Sequence, residues 1–239
     1  MVILHRLGRE LRDLLDLLLP PACLLCGAEL RRSGRGGLCP ACRAGIFPIP
    51  ASCCPRCALP YATEDGSAHL CEGCLREPPP FASVAAAGLY EEALRLAIQR
   101  FKYRGAVDLQ GVFADLLAET LERSGATRPD LPVPVPLHSG RQRQRTYKQS
   151  LLLARTLGKH HAVPFDGRLL MRIRATPPQQ GLKLREPRRN LKGAFALTGP
   201  LEGARILLID DVLTTGATAR ECGRALLAGG AAEVRVAVL

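Results

Sequence analysis

The stretch Arg205-Ile206-Leu207-Leu208-Ile209-Asp210-Asp211-Val212-Leu213-Thr214-Thr215-Gly216-Ala217-Thr218 decides how the rest of the chain is read. Residues 206–209 are an unbroken aliphatic run, the pattern of a parallel strand buried on both faces. The run ends in two adjacent acids and a Thr-Thr-Gly-Ala-Thr turn, after which a helix is predicted over 219–227. Open α/β sheets bind ligands in the crevice at the carboxyl ends of such strands. Adjacent acids point to opposite faces while a strand continues, so at most one of Asp210 and Asp211 would face a ligand rigidly. The turn supplies the opposite chemistry. Its backbone N–H groups and Thr hydroxyls, with a helix N-terminus behind them, make a cradle for a phosphate, and Gly216 lets the backbone approach the anion. Acids for sugar hydroxyls beside donors for a phosphate describe a phosphorylated ribose.

Four aliphatics, Asp-Asp, two residues, Thr-Thr-Gly, one residue and Thr resemble the phosphoribosyl-pyrophosphate (PRPP) binding motif of type I phosphoribosyltransferases. The fold this resemblance implies is α/β, a mostly parallel sheet flanked by helices. The commoner nucleotide signatures, a Walker A loop and a Gly-x-Gly-x-x-Gly turn, are absent from the sequence.

With 239 residues the chain is long enough for one good-sized core and a small appendage. Hydrophobic residues make up 47% but aromatics only 4%, with no Trp, so the core must be aliphatic and platforms for stacking bases are scarce. The formal net charge of +11 sets a field that attracts polyphosphates or nucleic acid, although most single charges read as a solvated surface. Residues 1–19 carry Leu4, Leu7, Leu11, Leu14, Leu15 and Leu18 at helical spacing among seven charged or His side chains. This predicts an amphipathic helix for packing or docking, too charged for a signal peptide or a membrane span. A cytoplasmic location is expected, where cysteine clusters hold metal more often than they form disulfides.

Nine of the ten cysteines lie between Cys23 and Cys74, and eight form the Cys-x-x-Cys pairs Cys23/Cys26, Cys39/Cys42, Cys54/Cys57 and Cys71/Cys74. A two-residue spacer turns both thiolates of a knuckle toward one tetrahedral ion, and two knuckles close a four-thiolate structural zinc site. Two zinc ions are implied, and in so short and apolar-poor a segment they would supply the folding free energy. Sequential pairing of the knuckles is preferred; a crossed arrangement also satisfies the spacing. Cys53 is spare and could replace Cys54 as a ligand, while Cys222 sits on the apolar stripe of the last helix.

Pro78-Pro79-Pro80 reads as a stiff linker and places a domain boundary after residue 80, with a zinc module over 1–80 and an α/β domain over 81–239. Strands are expected over 83–90, 131–135, 168–173, 194–197, 205–209 and 233–239. Helices are expected around Leu94, Ile98 and Phe101, over 107–123, and over 150–159. Two polar, cation-rich loops interrupt this pattern. The first spans 139–149 and carries Arg141, Arg143, Arg145 and Lys148; it could hold a pyrophosphate by charge-assisted hydrogen bonds. The second spans 174–190 with Gln179, Lys183, Arg185, Arg188 and Arg189, and has the length of a lid.

In order along the chain stand Leu19-Pro20-Pro21-x-Cys23, the paired knuckles, Phe101-Lys102-Tyr103-x-Gly105 and Val133-Pro134-Val135-Pro136-Leu137. Thr176-x-x-Gln179-x-Gly181-Leu182, Asn190-x-x-Gly193-Ala194-Phe195 and the PRPP motif follow. Together they resemble the ComF family of competence-associated proteins, which includes the GntX-like members. The chain departs from that pattern in two places. Arg145-Thr146-Tyr147-Lys148-Gln149 stands where the family usually reads Arg-Gly-Phe-Asn-Gln, and Pro187 stands where it usually has an Arg.

The resemblance implies a phosphoribosyltransferase-type protein that uses or senses PRPP with Mg2+. Asp210 and Asp211 would hold the ribose hydroxyls and the metal, and Thr214, Thr215, Gly216, Ala217 and Thr218 the 5′-phosphate. Arg141, Arg145, Lys148, Gln179, Lys183, Arg185 and Arg188 would attend the departing pyrophosphate. The acceptor stays open. The alternative is a non-catalytic single-stranded DNA-binding protein or adaptor of the DNA-uptake machinery; a zinc-stabilised adaptor with a vestigial PRPP motif is a third reading.

Overall fold

A computed structural model describes residues 20–30, 37–62, 68–103, 105–125, 127–136, 149–174 and 191–239. The expected opening helix and, apart from Gln149 and Arg174, the two cation-rich loops, with Arg141, Arg145, Lys148, Gln179, Lys183, Arg185 and Arg188, lie outside the described residues.

The aliphatic run forms strand β5 (Arg205–Ile209), and its side chains alternate between two cores. Ile206 and Leu208 enter one apolar cluster while Leu207 and Ile209 enter the other, which is why the run has no polar break. The strands β1 (Val84–Ala86), β2 (Leu131–Pro134) and β6 (Glu233–Val238) join β5 in a four-stranded sheet of order β1-β6-β5-β2, parallel throughout. β2 is an edge strand, where Pro132 and Pro134 forgo no ladder bond on the open side. At the amino end of β5, Arg205 grips Asp130 through its backbone N, Nε and Nη2 at 2.8–3.0 Å.

Helices α3 (Glu92–Tyr103), α4 (Leu109–Arg123) and α5 (Gln149–His160) contribute to the cluster on the Leu207 side. Helix α6 (Ala217–Ala228) covers the Leu208 side through Ala219, Cys222 and Leu226. α6 starts two residues earlier than its sequence suggested, and Cys222 is fully buried in its stripe. The strands expected over 168–173 and 194–197 form, but not in the main sheet. β3 (Leu170–Arg172) and β4 (Phe195–Leu197) pair antiparallel with each other as a separate two-stranded sheet, with β4 against α6. A three-residue strand carries no period from which its partner can be read.

Ahead of the sheet, two copies of one small unit follow each other. In the first, Ala22 bridges Glu29 and helix α1 (Pro40–Ala44) begins inside the second knuckle; in the second, Cys53 bridges Pro60 and helix α2 (Glu72–Arg76) does the same. Gly27 takes φ 75 and its counterpart Ala58 takes φ 58, the left-handed turn that closes each first knuckle. The first unit does not stand apart. Leu25, Leu30, Leu38 and Ile46 share one apolar cluster with Phe101, Phe113 and Leu117, and Arg100 of α3 donates to the carbonyls of Leu24 and Leu25. The second unit is tied through the linker: Arg56 donates to the Phe81 carbonyl, and Arg220 of α6 to that of Glu77. Among the described residues no helix is long and apolar enough to cross a membrane.

Candidate functional site

The sulfurs of Cys23, Cys26, Cys39 and Cys42 all lie within 4.8 Å of one another, and so do those of Cys54, Cys57, Cys71 and Cys74. The knuckles therefore pair sequentially, not crossed. Tetrahedral zinc with bonds of about 2.3 Å needs its sulfurs just under 4 Å apart, and the Cys26–Cys39 and Cys57–Cys71 separations are 3.6 Å. None of the ten cysteines is in a disulfide, and Cys53 stays outside the cluster that Cys54 joins.

Electrostatics fit a dication. Burial pushes Cys23 up, but amides of Cys39, Cys26 and Leu25 outweigh it and hold the thiol at about 6. Cys54 is held at about 6 against its burial by amides of Cys71, Cys57 and Arg56. Burial and the neighbouring sulfurs push Cys42 to about 12 and Cys74 to about 11. One thiolate among four crowded sulfurs suppresses the ionisation of the rest, and a zinc ion removes that conflict. The two four-cysteine sites support structural zinc.

At the carboxyl end of β5 the chain leaves the sheet. Asp210 turns toward the start of α5, where the Ser150 hydroxyl and the Asp211 amide donate to its Oδ1 at 3.2 and 2.9 Å. Loss of solvent and the like charge of Asp211 push the Asp210 carboxyl up to about 7. Asp211 turns toward α3 and meets Lys102 Nζ at 2.8 Å, with both side chains about five-sixths buried. Lys102 is the residue that reading the sequence missed. The signal was Phe101-Lys102-Tyr103-x-Gly105, but a contact across more than a hundred positions has no local signature.

The loop that follows is open. Thr214 and Thr215 are exposed, and Gly216 takes φ 69, the left-handed step that aims the chain into α6. The Ala217 amide donates to the Thr215 hydroxyl, and the first amides of any α-helix have no acceptor within it, so the positive end of the α6 dipole lies at this turn. Alongside lies a cavity of about 670 Å3 walled by Tyr90, Gln99, Lys102, Tyr103, Val212, Leu213 and Thr214. A second cavity, about 230 Å3, lies at the opposite end of the strands beside Arg205 and His161, away from the acids. The larger one adjoins the chemistry.

Residues 14–80 match the family model of the double zinc ribbon domain, and residues 153–239 that of the phosphoribosyl transferase domain. Fold and site thus define an α/β protein of the phosphoribosyltransferase fold preceded by a double zinc ribbon. The DNA utilization protein YhgH of Salmonella typhimurium is 34% identical over 224 residues, covering 92% of this chain and 96% of that one. Competence protein F of Haemophilus influenzae is 32% identical over 223 residues, covering 90% and 94%. The chain belongs to the ComF family. Competence protein ComFC of Bacillus subtilis is 27% identical over 204 residues, covering 82% and 80%. Among solved structures, the glutamine PRPP amidotransferase from B. subtilis, complexed with ADP and GMP, aligns at 19% identity and a TM-score of 0.39, over 59% of this chain and 30% of that one.

Proposed function

We propose that this protein binds PRPP, or a product carrying its ribose 5-phosphate, at the carboxyl end of β5 and transfers or senses the phosphoribosyl group. The observation that carries this reading is the open Thr214–Thr215–Gly216 turn leading into α6 beside two acids and a nucleotide-sized cleft. The 5′-phosphate takes the amides and hydroxyls of Thr214, Thr215, Gly216, Ala217 and Thr218. Asp210 and Asp211 take the ribose hydroxyls.

The one ammonium at the pair, Lys102, sits on Asp211, and the Asp210 carboxyl, pushed up to about 7 by lost solvent and its like-charged neighbour, is one that a bound dication would ionise. Asp210 and Asp211 would hold Mg2+, which supplies charge neutralisation at the pyrophosphate oxygens. Lys102 releases Asp211 as the ligand enters. The cations at Arg141, Arg145, Lys148, Lys183, Arg185 and Arg188, with Gln179, attend the pyrophosphate. The zinc module over 1–80 scaffolds the ligand-binding unit over 81–239, and the protein works in the cytoplasm. Calorimetry with PRPP and Mg2+ tests this: binding is expected in the native chain and a large loss in Asp210→Asn and Asp211→Asn. Equal binding by all three rejects it.

The names of the relatives, DNA utilization protein and competence protein, favour a second role in handling incoming single-stranded DNA. The +11 charge agrees with it. With few aromatics, phosphate contacts dominate, so affinity falls steeply with salt. Absence of micromolar single-strand binding at low salt removes this role and leaves the first untouched.

A further inference from the structure

The face of the sheet that Leu207 shares with α3, α4 and α5 is not aliphatic along its whole length. Side chains alternate along a strand, so Arg205, Leu207 and Ile209 of β5 and Glu233, Arg235 and Ala237 of β6 project to the same side. Leu207, Ile209 and Ala237 enter the apolar cluster, whereas the three charged residues stand together at the amino ends of the two strands. Arg205 is held by Asp130. The Arg235 and Glu233 side chains are only 23% and 33% exposed, and a guanidinium taken out of water costs free energy unless partners surround it.

The cover over this end encloses a cavity of about 230 Å3. The last turn of α4 brings Leu121 and Glu122, the segment before β2 brings Arg128 and Pro129, and the turn after α5 brings His161. Arg128 Nη2 donates to the carbonyls of His161 and Ala162, which fixes the rim. His161 Nε2 and Arg235 Nε are buried and have no aligned hydrogen bond among the described residues; Arg235 Nε meets a Glu233 oxygen at 2.6 Å as an ion pair only. Buried polar atoms in folded proteins nearly always find a partner, so two such atoms on one cavity point to a ligand that supplies it.

The lining selects the ligand's chemistry. Three guanidinium groups, those of Arg128, Arg205 and Arg235, face two carboxylates, and Glu233 is already taken by Arg235. Burial first, then the positive charges of His160 and Arg128, lower the His161 pKa against an opposite pull from Glu122, so the ring is neutral near pH 7 and its Nε2 can carry a hydrogen to donate. A cationic ligand would find one free acid among these cations. A polyphosphate would press most of its oxygens against Leu121, Pro129 and Leu207. One carboxylate on a compact apolar body satisfies both the cations and the apolar floor.

We propose that the cavity at the amino ends of β5 and β6 is a second binding site, for a small monocarboxylate with an apolar body. Arg128, Arg235 and His161 hold its carboxylate, and Leu121, Pro129 and Leu207 its body. The site lies at the opposite end of the strands from Asp210 and does not rest on the phosphoribosyl reading.

The test uses the full zinc-loaded chain with benzoate and hexanoate as probes and benzamide as the uncharged match of benzoate. Binding is read by calorimetry and by the imidazole proton resonance of His161, assigned by its loss in His161→Gln. At least one carboxylate is expected to move that resonance saturably at millimolar concentration, and benzamide to bind about 10-fold to 100-fold more weakly than benzoate, the usual size of a hydrogen bond to a charged group. Arg235→Met should abolish the carboxylate response. Arg128→Gln, at an exposed position that leaves folding intact, should weaken it by about 10-fold, which keeps the test decisive if circular dichroism shows Arg235→Met unfolded. The proposal is overturned if neither carboxylate moves the His161 resonance, if benzamide binds as well as benzoate, or if carboxylate binding is unchanged in Arg128→Gln.

Discussion

Stripping zinc from the first ribbon is expected to destabilise the α/β sheet, not merely the ribbon. Leu25, Leu30, Leu38 and Ile46 are each at most 9% exposed and sit in the same cluster as Leu94, Phe101 and Phe113. At about 1.5–3 kcal/mol for each fully buried side chain, those four contribute roughly 6–12 kcal/mol of apolar burial. That range matches the whole stability of a typical domain, about 5–15 kcal/mol. The side chains stay in place only while the Cys23, Cys26, Cys39 and Cys42 turns are held, since so short a loop of extended chain buries too little to fold alone. The Arg100 donations to Leu24 and Leu25 and the Arg43 contacts with both Glu119 oxygens at 2.7 Å disappear with them. The assay is urea unfolding followed by far-ultraviolet circular dichroism, with and without a high-affinity chelator, repeated on Cys39→Ala. The expected result is one transition at a much lower midpoint, or a metal-free chain already without fixed structure. A chelated protein whose sheet and helices unfold at the original midpoint refutes the reasoning, because the ribbon would then be an independent attachment.

Asp210, held up at about 7, prefers its neutral form in the folded chain. Its unfavourable contribution is absent below the unfolded value of 3.8 and grows as pH rises through about 7, so Asp210→Asn should gain stability relative to the native chain at pH 8 and little at pH 4, read by urea midpoints. Conversely, PRPP–Mg2+ binding should strengthen as pH rises through about 7, and this slope should be missing in Asp210→Asn. Lys102→Met strands Asp211 at 15% exposure and should cost about 1.5–3 kcal/mol, whereas the double variant with Asp211→Asn should lose less than the two single losses added. Gly216→Ala should cost about 1–2 kcal/mol, because φ is 69 while the nearest atom to an added methyl, Leu213 Cδ1, is at 3.9 Å. In contrast Gly111→Ala, inside α4 with nothing within 4 Å, should stabilise by about 0.5–1 kcal/mol.

What could be read from the residues was what local physics fixes. The aliphatic run had to be a strand buried on both faces, and the acids with the Thr-Gly turn had to stand at its carboxyl end, because composition and period determine both. The knuckles announced metal, yet their pairing did not follow from spacing, since Cys-x-x-Cys turns satisfy either arrangement; only the tertiary placement of Cys39/Cys42 beside Cys23/Cys26 decides it. The β3–β4 pair escaped because three-residue strands carry no partner information. Lys102 escaped because its partner lies beyond the end of β5, more than a hundred positions away, and the two meet only in the folded chain.

The most direct test of the central proposal is a crystal structure of the protein with ribose 5-phosphate and Mg2+. The account predicts the phosphate within hydrogen-bond distance of the amides and hydroxyls of the Thr214 to Thr218 turn, with the sugar hydroxyls against Asp210 and Asp211 and Lys102 displaced from Asp211. A phosphate bound elsewhere, with the Lys102–Asp211 pair intact and the turn empty at saturating ligand, contradicts it.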